Sequence, residues 1–249
     1  MRRLTLAAAA TLAAVALGTV AYRSSLSWQH FETPVGEQRT IQLTEGSVVN
    51  LNVQSRLDVR FDETQRDVRL LQGEATFKVA HDRTRPFRVH TARAVVEAVG
   101  TQFNVDDRPD GTTNVAVIEG RVKVSGAGPL ASDPVLVAAG EEARVQKNGR
   151  VDRVDHADVA EAVVWQQRKL IFKRTALEDI TTEFNRYNKG MQFRLEGIAP
   201  GAYRFTGAFN ADDPESLAAL LKQEPDLAVE KRSGEIFVRP RGGAKATRD

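Results

Sequence analysis

Residues 66 to 105 read RDVRLLQGEATFKVAHDRTRPFRVHTARAVVEAVGTQFNV, and their pattern decides the fold. Apolar side chains alternate with polar ones at Ala75, Phe77 and Val79, at Phe87 and Val89, and at Val95 and Val99 with Phe103 and Val105 following. A period of two predicts strands with one face buried. Gly73-Glu74, Arg85-Pro86 and Gly100-Thr101 interrupt the alternation before the successive runs. Glycine at such places predicts corners that need a positive φ or close backbone packing.

Outward from this stretch the same pattern predicts strands over Glu37 to Leu43, Val48 to Val53, Leu57 to Phe61, Val68 to Leu71, Ala75 to Ala80, Phe87 to Thr91 and Ala94 to Val99. It continues through Gln102 to Asp106, Asn114 to Ile118, Arg121 to Ser125, Val135 to Ala138 and Glu142 to Gln146. Strands this short and this close predict coils of a β-solenoid or a rolled sandwich, each turn burying its neighbour's apolar face. Gly126 to Pro134 reads as a Gly/Pro loop, and Asn148-Gly149 as the tip of a hairpin turn.

The run resembles the FecR family of envelope iron-transport signal regulators. The resemblance rests on Arg66-x-Val68-x-Leu70, Gly73-Glu74-Ala75-x-Phe77-x-Val79, Pro86-Phe87-x-Val89-x-Thr91 and Gly100-Thr101-x-Phe103-x-Val105. Gly36-Glu37, Leu43, Gly46-Ser47 and Leu51-Asn52 extend it upstream, as Glu119-Gly120-x-Val122 and Ala139-Gly140-Glu141 do downstream. It implies a solenoid-like β-domain, and the unequal spacing of the glycine corners implies a twisted one. Gly73, Glu74, Phe77, Pro86, Phe87, Gly100, Thr101 and Phe103 are then structural.

A chain of 249 residues accommodates two modest domains. With 35 basic and 33 acidic residues its charge is nearly balanced, and the one local excess is the tail from Arg239 to Arg248. That reads as a solvated end, 241–249, and not as a nucleic-acid surface. The absence of cysteine excludes disulfides and thiolate sites. Met1-Arg2-Arg3 precedes an apolar run from Leu4 to Tyr22, and Leu4 to Ala21, eighteen residues, gives about 27 Å of helix against roughly 30 Å of hydrocarbon. A signal peptide also fits, through the small residues Gly18 to Ala21. The length and the flanking arginines favour an uncleaved inner-membrane anchor over 1–22, with a connector over 23–35. Trp28 and Phe31 in that connector suit either the membrane interface or packing on the first strand.

The β-rich wording spans 36–150 and a linker 151–168, in which Trp165 is expected to pack between two domains. Lys169 to Lys173 reads as a strand, and Thr175-Ala176-Leu177-Glu178 as a capping box opening a helix with the stripe Leu177, Ile180, Phe184 and Tyr187. Lys189-Gly190 is expected to close it. Strands follow at Gln192 to Leu195 and Tyr203 to Phe209, then a helix capped by Asp213-Pro214 and a hairpin of Leu227 to Lys231 with Glu235 to Arg239. The order β-α-β-β-α-β-β predicts a small α+β domain over 169–240, with two helices covering one sheet face. It resembles the secretin and TonB short N-terminal (STN) domain over Leu170 to Arg239. The fold expected is therefore mainly β: a solenoid-like twisted β-domain, a small α+β domain and an N-terminal transmembrane helix.

Enzyme constellations fail. His30, His81, His90 and His156 are scattered, no P-loop, G-x-S-x-G or G-x-G-x-x-G occurs, and Asp106 to Gly111 reads as a turn. Asp58, Asp62, Glu63, Glu74 and Glu97 sit at strand ends or at the glycine corner, where charge needs no catalytic role. No cofactor or metal is implied. A scaffold or glycan-binding module is the alternative class. The family resemblance implies a single-pass inner-membrane regulator, mostly periplasmic, that relays the state of a TonB-dependent outer-membrane receptor to an extracytoplasmic-function (ECF) sigma factor in siderophore uptake. The helical sigma-binding domain usual in the family does not precede the apolar run in this sequence, so either a domain preceding Met1 supplies the sigma-factor contact or the chain keeps sensing without direct contact. Partner contacts are expected at Trp165 and on Arg204, Thr206 and Ala208, because Tyr203, Phe205 and Phe209 share the parity of a core face.

Overall fold

Gly73 lies inside one long strand and does not separate two short ones. In the computed structural model, which describes residues 27–154 and 157–241, Arg66–Lys78 runs unbroken for thirteen residues and belongs to two sheets. The strands of the first part are β1 (Gln29–Glu32), β2 (Arg39–Gln42), β3 (Val48–Leu51), β4 (Arg56–Phe61), β5 (Arg66–Lys78), β6 (Phe87–His90) and β7 (Ala94–Ala98). They continue as β8 (Gln102–Asp107), β9 (Thr113–Glu119), β10 (Arg121–Gly126), β11 (Val135–Ala138), β12 (Glu142–Val145) and β13 (Val151–Val154).

One sheet follows β1-β4-β5-β6-β7-β10-β11, the other β2-β3-β5-β8-β9-β12-β13, and β5 is the strand they share. Its first half pairs with β4 and β6, its second half with β3 and β8. Across Gln72 and Gly73 the fully buried positions change from Val68 and Leu70 to Ala75 and Phe77, a switch of parity. The register against β4 slips at the same place, as a bulge requires. That parity change is why the alternation reads as two segments in the sequence.

The expected winding takes a different form. After β5 the chain advances as hairpins, β6 with β7, β8 with β9, β10 with β11 and β12 with β13, placed alternately in the two sheets. A two-stranded antiparallel ribbon therefore coils around one core, where a solenoid would coil a single strand in parallel register. β5 with β6 is the one parallel pair of this part among the described residues. The core joins both sheets, and Phe77 at its centre lies 5.3 Å from Phe103 and 5.9 Å from Phe87 between ring centroids. Each such ring contributes about 1.5 to 3 kcal/mol by leaving water. Arg66, 1% exposed, donates to the carbonyls of Arg85 (2.7 Å) and Ala80 (2.9 Å) and stacks on Phe87, pinning the loop before β6 to the core.

Two spans expected to be irregular are strands. Gln29–Glu32 of the connector closes an edge as β1, and Val151–Val154 of the linker completes the Asn148-Gly149 hairpin as β13. The apolar run 1–22 and the tail 242–249 lie outside the described residues. Among the described residues no helix is long and apolar enough to cross a membrane.

A 3-10 helix, Glu161–Gln167, leads into the second part: β14 (Lys169–Ala176), α1 (Leu177–Tyr187), β15 (Gln192–Leu195), β16 (Arg204–Asn210), α2 (Pro214–Gln223), β17 (Leu227–Arg232) and β18 (Glu235–Pro240). The element order is the expected one, but the strands form two sheets, β14-β16 and β15-β18-β17. Helix α1 packs on β14 and β15 and helix α2 on β16 and β17, so each helix touches both sheets. The capping box is not formed. Thr175 instead pairs with Phe205 in the ladder, Ala176 occupies the cap position, and Glu178 accepts from the Gly201 amide at 2.6 Å. Asn188, not Lys189-Gly190, ends α1, whereas Asp213 caps α2 as expected by accepting from the Ser216 amide.

Candidate functional site

The carboxylate that follows the β5 corner ends at the seam between the two parts of the chain. Gly73 has φ +86°, and a Cβ there would collide with the Ser55 hydroxyl and stand 2.8 Å from Ser55 Cα. Only glycine lets β5 press against Ser55, whose Oγ accepts from the Glu74 amide at 3.0 Å. Glu74 then accepts one bond on each oxygen, from Asn52 Nδ2 and from Asn104 Nδ2, both at 2.8 Å.

The two asparagines carry the second part. Asn52, fully buried on the loop after β3, uses its Oδ1 to accept from the Tyr187 hydroxyl of α1 (2.9 Å), from Gln38 Nε2 (3.1 Å) and from the Val53 amide (2.8 Å). Asn104 of β8 accepts from Thr76 at 2.8 Å, and Trp165 Nε1 points at the same Oδ1 from 3.4 Å. Gln38 also donates to the Trp165 carbonyl at 2.9 Å, and Gln166 donates to Thr76 at 2.8 Å. Around this centre Arg186 donates to the Val53 carbonyl, Lys189 pairs with Glu37 at 2.7 Å, and the Gly36 amide donates to the Arg186 carbonyl at 2.9 Å. A Cβ on Gly36 would stand 2.8 Å from the Tyr187 carbonyl, so this glycine sets how closely α1 approaches. Val53 itself packs in the core of the second part.

Burial, with the repulsion of Asp106 added, pushes the Glu74 carboxyl up to about 8 against the opposing effect of its two asparagine donors. Burial likewise pushes the Tyr187 phenol up, so the hydroxyl stays a donor to Asn52. A carboxyl raised in the folded chain stabilises the fold fully below its unfolded value of 4.5, and that stability is lost as pH rises towards about 8. Melting temperature is therefore expected to fall between roughly pH 5 and pH 8, and Glu74→Gln is expected to flatten that slope. A wild-type slope retained in Glu74→Gln would assign it to other groups.

Of the residues expected to be structural, Phe77, Phe87 and Phe103 form the aromatic core, and Pro86 precedes β6. Gly100 presses against His81, where a Cβ would stand 2.9 Å from Cα, and Thr101 is mostly buried beside it. Trp165, 5% exposed, lies at the seam and not on an outer face. Arg204, Thr206 and Ala208 are exposed on β16, with Phe205 and Phe209 turned towards the core as their parity predicts. Among the described residues no hydrogen bond joins this strip to Trp165, which bonds to Gln38, Asn104 and Arg168 instead. Gln38, Asn104, Arg186 and Tyr187 were not singled out by the sequence as seam residues. Their one signal is position: Asn104 is the unspecified residue between Phe103 and Val105, and Tyr187 ends the stripe of α1.

Set against known proteins, residues 29–123 match the family model for the FecR protein. Two crystal structures of a candidate anti-sigma factor from Parabacteroides distasonis ATCC 8503 share the fold, with TM-scores of 0.74 and 0.73 at 23% identity. They cover 87% and 86% of this chain and 100% of each of theirs, so the shared fold takes in both parts. No curated protein matches the chain.

Proposed function

We propose, on the premise that residues 29–123 place this chain in the FecR family, that it is a signalling regulator of the anti-sigma type. In this reading it is anchored in the inner membrane through residues 1–22 and holds its described residues in the periplasm. It relays the occupancy of a TonB-dependent outer-membrane receptor, most simply one loaded with a ferric siderophore, towards an ECF sigma factor. The sigma-factor contact is assigned to none of the described residues.

The observation that carries the reading is the seam. Gly36, Asn52 and Glu74 belong to the wording shared with the family, yet Gly36 and Asn52 meet Arg186 and Tyr187 of the second part and Glu74 holds the Asn52 amide in place behind them. Residues used this way suit a chain that transmits a docking event from one part to the other, and no bond making is required of them. The second part is read as STN-like and as the receptor-facing end, because among the described residues β16 has only β14 beside it. An open edge accepts a further strand through main-chain bonds.

The test is titration of the full-length chain with the isolated periplasmic signalling domain of a TonB-dependent receptor. Binding is expected, and Ala208→Pro is expected to weaken it at least tenfold by removing a main-chain donor from β16. Binding that survives deletion of residues 169–249 would overturn the assignment of the receptor-facing end.

A further inference from the structure

The two sheets of the second part differ in how their charge is balanced. In β15, β17 and β18 every cation has a carboxylate partner: Arg194 with Glu235, Lys231 with Glu215, and Arg232 and Arg239 with Glu230. The sequences of β14, KLIFKRTA, and β16, RFTGAFN, hold four cations and no acid. Of these only Lys173 is paired, with Glu161 of the 3-10 helix. Lys169, Arg174 and Arg204 are exposed and have no ion-pair partner among the described residues, and Arg204 reaches only the Arg174 carbonyl. Between them Ile171 is 36% exposed opposite Ala208, a small apolar step on the same face.

An unneutralised basic sheet with an open edge is complementary in charge to a strand that carries carboxylates. We infer that the segment added at the β16 edge is an acidic strand, with a carboxylate at every second position, on the exposed side where Arg204 and, one strand away on β14, the long side chains of Lys169 and Arg174 lie. The inference rests on the receptor-docking reading and adds the chemistry of the docking segment. Opposite charges placed across neighbouring strands stabilise the pair, and like charges destabilise it. Exposed pairs of this kind weaken with salt.

The probe is the blocked heptapeptide Glu-Val-Glu-Val-Glu-Val-Glu, with its lysine counterpart as control. The full-length chain in detergent micelles is titrated with each while hydrogen–deuterium exchange is followed over 204–210. The acidic peptide is expected to slow exchange there at least about threefold at concentrations where the lysine peptide has no effect, and about 0.3 M salt is expected to remove the difference. Arg174→Glu with Arg204→Glu is expected to reverse the preference, and Lys169→Glu, away from the bulge at Arg174, to reduce it. Equal protection by both peptides, or by neither, overturns the inference. A receptor domain that binds wild type and the double variant equally keeps the docking reading and overturns the acidic strand. A charge preference that persists while no receptor domain binds supports the acidic strand and overturns the receptor.

Discussion

Gly73→Ala is expected to destabilise the chain by about 2 to 5 kcal/mol. Two costs combine. A φ of +86° sets the backbone in the left-handed region, which costs an L residue about 1 to 2 kcal/mol. The added methyl also meets the Ser55 backbone at 2.8 Å, and forced overpacking costs typically 1 to 3 kcal/mol more. Gly140 separates the two costs, because its φ is +84° but nothing lies within 4 Å of its Cβ position. Gly140→Ala is therefore expected to lose only the first. Calorimetric melting of both variants reads the difference, on the order of 2 to 12 °C in Tm. Equal losses would mean that β5 does not depend on its contact with Ser55, and the account of the corner would fail.

Trp165→Ala is expected to cost about 3 to 5 kcal/mol, the loss typical of emptying a buried aromatic site. The indole is 5% exposed and the residue bonds to the first part twice, to Asn104 through Nε1 and to Gln38 through its main-chain carbonyl, while its 3-10 helix packs on β14 of the second part. Removing it should leave two folded parts that no longer hold one orientation, so limited proteolysis is expected to open the segment between β13 and β14. An unchanged melt together with an unchanged digestion pattern would make that segment a passive tether. Any rigid coupling would then rest on Asn52, Gly36 and Val53 with Tyr187 and Arg186, and not on the indole.

The legibility of this fold in its sequence follows from where its forces are local. Strand positions were read from alternation because one face of each strand is buried, and β11 was located to the residue. Alternation failed at Gly73, where the chain passes from one sheet to the other and the buried parity changes, so one strand looked like two. Gln29–Glu32 and Val151–Val154 were missed because edge strands bury little and carry almost no periodic signal. The capping box failed because the ladder to β16 claims Thr175 before the helix begins. At the seam, Glu74, Asn52 and Trp165 could be singled out through motif and position. Their convergence could not, since it depends on side chains 61 to 135 positions apart in the chain, as with Trp165 and Asn104 or Tyr187 and Asn52. The parallel placement of β15 beside β18 was hidden for the same reason, and with it the division of the second part into two sheets.

The bonds among Glu74, Asn52, Tyr187 and Trp165 are expected to make the two parts move as one body. The chain has no cysteine, so Arg121→Cys and Lys222→Cys place spin labels at exposed sites, one in each part, without further substitution. Pulsed electron spin resonance on the full-length chain is expected to give one narrow distance distribution, and Trp165→Ala is expected to broaden it. A broad distribution in the otherwise unaltered chain, or one that Trp165→Ala leaves unchanged, would contradict the account.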